Sequence, residues 1–312
     1  MLNNYKDLIL IEGGASQKKI SRYYKKNSSF IILDFSEDTE EFKNHLIIYD
    51  ILKNINISIP KIFEVDFKNH IIVTEDFGDQ RFDKILNKYD INSLLESAVE
   101  SLIVLNNATI NSINLSNLNQ YNYEIFKKEI SELIDFYCPF KKIDDSISLV
   151  FYEVWEEQFQ KLNFEFNSFV HKDFELSNLM YLPNKENHLK CGILDFQNAF
   201  IGFPGWDLFS LLENPRIDFD EKYNKELIEY FYNNSNQRIS YKDFLKQYFF
   251  LNTARQTRIL GRWANLDEKN NNNYYKLNFH AVTIKRLKNS LFNLQNTQLN
   301  NLYKIILKNE KF

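Results

Sequence analysis

The sequence predicts an α+β protein: a small antiparallel sheet with one helix comes first, and a larger, mostly helical part follows. Short apolar runs of strand length dominate the chain up to about residue 77, and helical apolar periodicity dominates beyond it. The 312 residues, 44% of them hydrophobic, are enough for two lobes with cores of their own. We therefore expect an N-terminal lobe over residues 1–77 and a C-terminal lobe over residues 78–312.

Composition and charge exclude several classes of protein. The net charge of −4 lacks the basic surface that a general nucleic-acid binder needs. Cys138 and Cys191 are far apart and form neither a metal-ligand spacing nor a disulfide framework, as is usual in a reducing cytosol. The N-terminus shows no signal peptide, and no apolar run approaches the length of a membrane span. We expect a cytoplasmic monomer with no nucleic-acid or membrane partner.

A glycine-rich turn separates the first two predicted strands. Gly13 and Gly14 follow an apolar run at residues 7–12, and a polar, basic strand covers residues 18–25. Such a turn can lay backbone N–H groups over phosphates, but a plain hairpin turn uses the same residues. Both interpretations stay open at this point.

The third predicted strand, residues 30–35, carries an acidic residue and no lysine. A phosphate-binding site needs a cation, whereas this strand offers Asp34, whose carboxylate would repel phosphate. Either Lys18, Lys19 or Arg22 on the preceding strand supplies the cation, or the site is catalytically inactive. The same basic side chains are also consistent with a solvated strand face.

A helix is predicted to begin after Asp38, with Thr39 as its N-cap. Apolar residues continue with helical spacing through residues 42–52. Because the third strand has no lysine with which they could pair, Glu40 and Glu41 are interpreted as a solvated first turn.

Two further strands are expected at residues 59–65 and 70–75. They lead into the segment from Glu75 to Gly78, which we interpret as the hinge between the lobes. The change from strand-like to helical patterns at this segment supports that interpretation.

Helical periodicity predicts a series of helices beyond the hinge. A capping-box pattern, Ser93 with Glu96, marks the start of the first one. The Asn-rich segment at residues 106–123 is expected to be a connecting loop. The expected helices cover residues 93–105, 124–137, 150–162, 223–232, 241–263 and 278–292, and a further helix begins at Trp206.

The densest functional pattern is His171-x-Asp173-x-x-x-x-Asn178, followed by an apolar strand, residues 191–194, that ends at Asp195. Phosphoryl transfer depends on positioning and charge neutralisation, and this pattern offers groups for both. Asp173 would orient the attacking hydroxyl and accept its proton, while Asn178 and Asp195 would offer hard oxygen ligands to Mg²⁺. The alternative is that both aspartates are ordinary turn residues.

Together with the motif Leu-Asp-Phe-Gln-Asn-Ala at residues 194–199, this pattern resembles the aminoglycoside-phosphotransferase/choline-kinase branch of the protein-kinase-like fold. Within that branch it is most similar to the bacterial N-acetylmuramate/N-acetylglucosamine anomeric kinases. The similarity covers most of the chain and is dense over residues 169–212. It implies a two-lobed kinase fold, ATP and Mg²⁺ as cofactors, and a small sugar as substrate.

The resemblance also implies roles for individual residues. Those that would bind the nucleotide, through the turn, the basic strand and the hinge backbone, are Gly13, Gly14, Ser16, Lys18, Lys19, Glu75 and Phe77. Those that would support the catalytic loop are His171 and Asp207. Candidate substrate contacts are Gln197, Arg255 and Arg258, although arginines at such spacing are often ordinary salt-bridge residues.

The expected function is ATP- and Mg²⁺-dependent phosphorylation of a sugar hydroxyl. By resemblance, this is the anomeric hydroxyl of N-acetylmuramate or N-acetylglucosamine in cell-wall recycling. A second interpretation is transfer to an aminoglycoside, choline-like or other hydroxyl compound, for which an acidic pocket could be formed by Glu124, Glu129, Glu132 and Asp135. A third is a pseudokinase that binds nucleotide without catalysis, for which Asp34 is the best support. The sequence leaves open the acceptor, the nucleotide preference and the cation that replaces the strand lysine.

Overall fold

The computed structural model describes residues 8–11, 18–26, 28–112, 115–164, 166–308 and 310. The chain forms two compact units. The first comprises Met1–Asn119, Phe169–Phe200 and Glu229–Asn236, and the second comprises Gln120–Ser168, Ile201–Ile228 and Gln237–Phe312. The expected lobe boundary after residue 77 stays a prediction.

A five-stranded antiparallel sheet dominates the first unit, with the strand order β1-β2-β3-β5-β4. The strands of the chain are β1 (Ile9–Ile11), β2 (Lys19–Lys25), β3 (Ser28–Asp34), β4 (Ile62–Asp66), β5 (Ile71–Glu75), β6 (Ser168–Val170), β7 (Leu179–Tyr181), β8 (Cys191–Ile193) and β9 (Phe200–Gly202). The four apolar runs and the basic segment that predicted the first five strands do form them. β7 and β8 pair as a separate antiparallel ladder, which carries the chain towards Asp195.

Helices make up most of the remaining chain. They are α1 (Thr39–Leu52), α2 (Phe82–Ile85), α3 (Ile91–Ser112), α4 (Tyr123–Glu132), α5 (Cys138–Phe140), α6 (Ile147–Gln160), α7 (Trp206–Leu212), α8 (Glu221–Asn234), α9 (Tyr241–Lys269), α10 (Tyr274–Asn278), α11 (His280–Leu294) and α12 (Thr297–Ile306). A π-helical turn (Leu133–Tyr137) follows α4, and short 3-10 turns lie at Leu176–Asn178 and Asn187–Lys190. Within the described ranges, every helix is too short or too polar to cross a bilayer.

Helix α1 packs on the sheet through an apolar cluster that contains Phe42, Phe35 and Ile72. Its N-cap is Asp38, whose carboxylate accepts a hydrogen bond from the Glu41 backbone N–H at 2.9 Å. The prediction of Thr39 as the cap was wrong by one position. A cap needs a side-chain oxygen that reaches back to the third helical residue, and the short Asp38 side chain does this.

The start of α3 differs from the prediction in the same way. Asp90 accepts hydrogen bonds from the backbone N–H and the hydroxyl of Ser93, at 3.1 and 3.0 Å. Ser93 therefore lies inside the first turn and is not the cap. Because α3 continues to Ser112, the connecting loop that was expected from residue 106 begins later than predicted.

In the second unit, α9 packs against α4, the π-helical turn and α11. Gly261 makes the closest approach, since a Cβ built at this position would lie 2.0 Å from the Glu132 carbonyl oxygen. Any side chain there would overlap backbone atoms, so the absence of a Cβ allows the two helices to come together.

Candidate functional site

A cavity of about 610 Å³ in the first unit brings together several residues that the sequence singled out. Lys18, Glu75, Phe77, Asn178 and Asp195 all line it. Much of the remaining wall is apolar and includes Ile20, Ile31, Leu33, Met180, Leu194 and Phe196. Another part of the wall carries charged side chains, which are Arg22, Asp76, Asp79, Arg81 and Lys84. Ligand pockets typically combine such apolar walls with a few convergent polar groups.

Asp195 combines an unusual backbone conformation with two side-chain partners. It follows β8 with a φ of 64°, in the left-handed region that a residue with a Cβ rarely adopts. Its carboxylate forms an ion pair with the Lys18 ammonium and accepts a hydrogen bond from Gln197 Nε2 at 2.9 Å. Burial opposes ionisation, but Lys18 and Gln197 outweigh it and hold the pKa of Asp195 below its ordinary value. The carboxylate is therefore kept charged, as a metal ligand must be.

The loop that contains Asp173 is tied to the strand end that carries Asp195. The His171 ring shares a hydrogen bond of 2.8 Å with the Leu194 carbonyl, so Nε2 must carry the proton. Burial lowers the pKa of His171 and keeps its ring neutral. Asn178 Nδ2 donates to the Asp173 carbonyl at 2.8 Å, which leaves Asn178 Oδ1 as the ligand atom of this amide. Asp173 is half-buried and does not line the cavity described above.

The structure distinguishes among the three candidate cations. Lys18 has a side chain only 5% exposed and pairs with Asp195. Lys19 is 59% exposed, does not line the cavity, and pairs with Glu37 at 2.7 Å. Arg22 lines the cavity, but its guanidinium pairs with Asp76 and Asp79. Lys18 is therefore the candidate cation that is joined to the Asp195 carboxylate.

Asp34 does not take the position that its place in the sequence suggested. Its carboxylate accepts a hydrogen bond from the Ser36 backbone N–H at 2.9 Å, across the turn that follows β3. Asp34 is not among the residues that line the cavity. The observation that best supported a pseudokinase is thus explained by a local turn.

Sequence reasoning missed two residues on α1. Glu41 was interpreted as part of a solvated helix start, but its carboxylate accepts a hydrogen bond from Gln197 Nε2 at 2.6 Å. His45, one turn later, is buried and stacks on Phe196 with ring centroids 4.7 Å apart. Burial, aided by the charge of Lys18, lowers the pKa of His45 to about 3, so it is neutral. The spacing of four between Glu41 and His45 was the available signal, since such residues share a helix face.

The expected hinge residues Glu75 and Phe77 line the cavity. The backbone N–H of Glu75 donates to the Lys61 carbonyl at 2.8 Å. Phe77 packs against Gly192, where a Cβ would lie 2.7 Å from the Phe77 ring. Gly192 therefore allows this ring to pack closely against β8. The remaining residues of the predicted nucleotide turn, Gly13, Gly14 and Ser16, lie outside the described residues.

The second unit contains the other predicted residues. Arg258 pairs with Glu129 at 2.8 Å, and Arg262 pairs with Glu132 at 2.5 Å. Two members of the possible acidic pocket are therefore neutralised by arginines of α9. Arg255 is half-buried on the same helix. The role of Arg255 and Arg258 as substrate contacts stays a prediction.

Two supporting roles also remain predictions. Asp207 is buried in the first turn of α7, with 3% of its surface exposed, which suits a structural carboxylate. Gln197 is 2% exposed, and its amide is bonded to Glu41 and Asp195. These contacts favour a positioning role for Gln197 over the expected substrate contact.

The donor groups in the cavity fit Mg²⁺. Asp195 offers a charged carboxylate and Asn178 an amide oxygen, which are the hard ligands this ion prefers. No cluster of three or more His, Cys, Asp or Glu side chains suitable for a metal occurs in the part of the chain that the structure describes. Mg²⁺ in nucleotide sites usually needs only one or two protein ligands besides phosphate and water, so this small set is sufficient.

Curated relatives were found by sequence. An N-acetylmuramate/N-acetylglucosamine kinase of Caulobacter vibrioides is 25% identical over 218 residues, which are 67% of this chain and 60% of that protein. A kinase of the same name from Neisseria meningitidis serogroup B is 20% identical over 84% of this chain and 80% of its own length.

Solved structures are similar in fold. The choline kinase LicA from Streptococcus pneumoniae has a TM-score of 0.58 and 16% identity, covering 92% of this chain and 94% of its own. An ADP-bound aminoglycoside phosphotransferase has a TM-score of 0.58 and 15% identity, and the match covers 94% of this chain and 95% of that one. These likenesses confirm the protein-kinase-like α+β fold that the sequence predicted. The model of the phosphotransferase enzyme family, called APH, matches residues 7–237, and the chain belongs to this family.

Proposed function

We propose that this protein is an ATP- and Mg²⁺-dependent kinase that phosphorylates a hydroxyl group of a small amino sugar. The observation that carries this proposal is the convergence of Lys18, Asn178 and Asp195 on one cavity that also has an apolar wall. A cation, a carboxylate and an amide oxygen match a nucleotide polyphosphate with its metal, and the apolar wall matches a purine base. The ADP, AMP and ATP complexes among the solved relatives support nucleotide use.

Each side chain has a distinct task in this proposal. Lys18 holds phosphate oxygens, and Asn178 Oδ1 and the Asp195 carboxylate hold Mg²⁺. The ion supplies neutralisation of charge on the transferred phosphoryl group. Asp173 orients the acceptor hydroxyl and accepts its proton as the hydroxyl oxygen attacks the γ-phosphorus of ATP. The bond from that phosphorus to the oxygen that joins it to the β-phosphate breaks, and ADP leaves with the electron pair. In this proposal most of the rate enhancement comes from positioning and electrostatic stabilisation.

The favoured acceptor is the anomeric hydroxyl of N-acetylmuramate or N-acetylglucosamine. Three curated relatives carry the name of that kinase, at 20–25% identity. A polycationic aminoglycoside would instead need unpaired acidic groups, whereas Glu129 and Glu132 are already paired with arginines. These ion pairs support a neutral or anionic sugar over a polycation.

A single-turnover assay tests the proposal directly. The purified chain is mixed with ATP, Mg²⁺ and a panel containing N-acetylmuramate, N-acetylglucosamine, an aminoglycoside and choline. We expect a phosphorylated amino sugar, with the new phosphate on the anomeric oxygen. If choline or the aminoglycoside alone is phosphorylated, the substrate assignment is wrong; if no acceptor is phosphorylated, the kinase assignment fails for this panel.

The role of Asp173 has its own prediction. Asp173→Ala should reduce turnover by at least about a thousandfold, as the loss of other central catalytic groups does. Asp50→Ala is the control, because Asp50 is an α1 residue whose side chain is 72% exposed. Equal activity of the two variants would contradict the assigned role of Asp173.

A further inference from the structure

We propose that Gln197 is a positioning residue that bridges Asp195 to Glu41 on helix α1, so that this helix orients the metal-binding carboxylate. The inference rests on the proposed function, because it explains how the metal ligand of that function is held. In protein kinases, an ion pair between a strand lysine and a helix glutamate links the corresponding elements. In this chain, the bridge between the helix glutamate and the metal-binding aspartate is a neutral amide.

The geometry of the bridge is specific. Gln197 Nε2 lies 2.6 Å from Glu41 Oε1 and 2.9 Å from Asp195 Oδ1. An ionised carboxylate can only accept hydrogen bonds, so the NH₂ end of the amide must face both partners. Its two protons are then both used, one for each carboxylate. With 2% of its surface exposed, the Gln197 side chain is shielded from water that would compete for these bonds.

Charge explains why the bridging group is an amide. Two carboxylates gathered in a partly buried site repel each other, and donors that stabilise both charges reduce this repulsion. Gln197 donates to both without adding a charge, and Lys18 supplies the positive charge beside Asp195. In the proposed function Lys18 also binds phosphate. The bond from Gln197 therefore orients Asp195 without requiring the cation that the substrate needs.

Helix α1 is a firm support for this bridge. Phe42, next to Glu41, is buried in the apolar cluster under the sheet. One turn later, His45 stacks on Phe196, the residue between Asp195 and Gln197. The helix thus contacts the Asp195–Gln197 segment at two points, and its position determines where the carboxylate is held.

The test measures metal-dependent nucleotide binding, so it does not depend on identifying the acceptor. ADP affinity of the full chain is measured by calorimetry over a range of Mg²⁺ concentrations. Gln197→Glu keeps the shape of the side chain but replaces the amide NH₂ group that donates both hydrogen bonds, and Gln197→Leu removes all polar atoms of the side chain. Asn198→Leu is the matched control, because Asn198 is the exposed neighbour. Glu41→Gln removes the charge of the other partner and is compared with Glu40→Gln at an exposed position of the same turn.

We expect the Gln197 variants and Glu41→Gln to raise the Mg²⁺ concentration for half-maximal enhancement of ADP binding. The expected increase is about 10- to 100-fold, as for the loss of other groups that orient metal ligands. ADP binding without Mg²⁺ should stay within about threefold of the original, and both controls should leave the Mg²⁺ dependence unchanged. A merely structural role would weaken ADP binding equally with and without Mg²⁺.

The possible outcomes separate the two proposals. If Mg²⁺ enhances ADP binding equally in the original chain and in Gln197→Glu, the bridge is refuted and the proposed function stands. If the Gln197 variants lose ADP binding with and without Mg²⁺ alike, the positioning role is also refuted. If Mg²⁺ has no effect on ADP binding by the original chain, the proposed function itself fails, and the bridge fails with it.

Discussion

Two adjacent lysines offer the sharpest test of the site. Lys18 is 5% exposed and pairs with Asp195 in the cavity, whereas Lys19 is 59% exposed and pairs with Glu37. Replacing each by methionine keeps most of the side-chain length and removes only the charge. The two variants therefore compare the loss of a lysine charge inside the cavity with the loss of a lysine charge one residue away, outside it.

The magnitudes follow from the two environments. Removing one preorganised electrostatic contact to the reacting group typically costs about 10²- to 10³-fold in rate, or roughly 2.7–4 kcal/mol. We expect Lys18→Met to reduce kcat/KM for ATP by this amount. An exposed ion pair contributes about 0–1 kcal/mol to stability, and we expect Lys19→Met to leave kcat/KM within about threefold.

The same substitution should change the pH dependence. Burial raises the pKa of Asp195, and Lys18 is the largest influence that lowers it. Without the ammonium, the Asp195 carboxyl should bind a proton at higher pH, and the acid limb of the kcat/KM profile should move upward. Lys19→Met should leave that limb in place.

Steady-state kinetics with varied ATP measure both effects, and thermal unfolding checks that each variant is folded. Lys18→Arg retains the charge and should recover part of the loss. If the two methionine variants lose activity equally, or if Lys18→Met matches the original chain, the assignment of Lys18 as the phosphate cation is refuted.

Three further predictions concern other parts of the chain. In an exposed helix, Gly→Ala would stabilise the fold by about 1 kcal/mol. At Gly261 the new Cβ would lie 2.0 Å from the Glu132 carbonyl oxygen, so we expect Gly261→Ala to lower the free energy of unfolding, measured with denaturant, by about 3 kcal/mol. A stabilised variant would contradict this packing. Burial raises the pKa of Glu213 from 4.5 to about 7 against the opposing charge of Arg286, 3.4 Å away. The folded state then holds this proton more tightly than the unfolded state, so the stabilisation is complete below about pH 4.5 and is lost as the pH rises through about 7. Between about pH 4.5 and 7, the free energy of unfolding of Glu213→Gln should fall by on the order of 3 kcal/mol less than that of the original chain. If the two proteins show the same dependence of unfolding free energy on pH, the raised pKa of Glu213 is refuted. Asp34→Asn should leave the KM for ATP within about threefold, because its carboxylate caps a turn outside the cavity; a large fall in KM would show that Asp34 repels phosphate after all.

Local patterns in the sequence were enough to predict the order and type of most elements. The period of two or of 3.6 in apolar residues depends only on the geometry of a strand or a helix, so it can be read without the fold. The spacing from His171 to Asn178 is equally local, since one short loop places these residues. The errors in these local predictions concerned helix starts. The helices are capped by Asp38 and Asp90, whereas Thr39 and Ser93 were predicted.

Contacts between distant segments were decided by the tertiary structure. Lys18 and Lys19 are neighbours with the same chemistry, and only packing against the Asp195 loop separates a buried cation from an exposed one. Glu41 and Gln197 are 156 residues apart, so no periodicity relates them. A side-chain pattern reports which face of an element is apolar, but the partner of a polar group depends on which other element covers that face. For this reason the sequence by itself predicted the motif from His171 to Asp195, and only the folded chain determined that Lys18 and, through Gln197, helix α1 contact its last carboxylate.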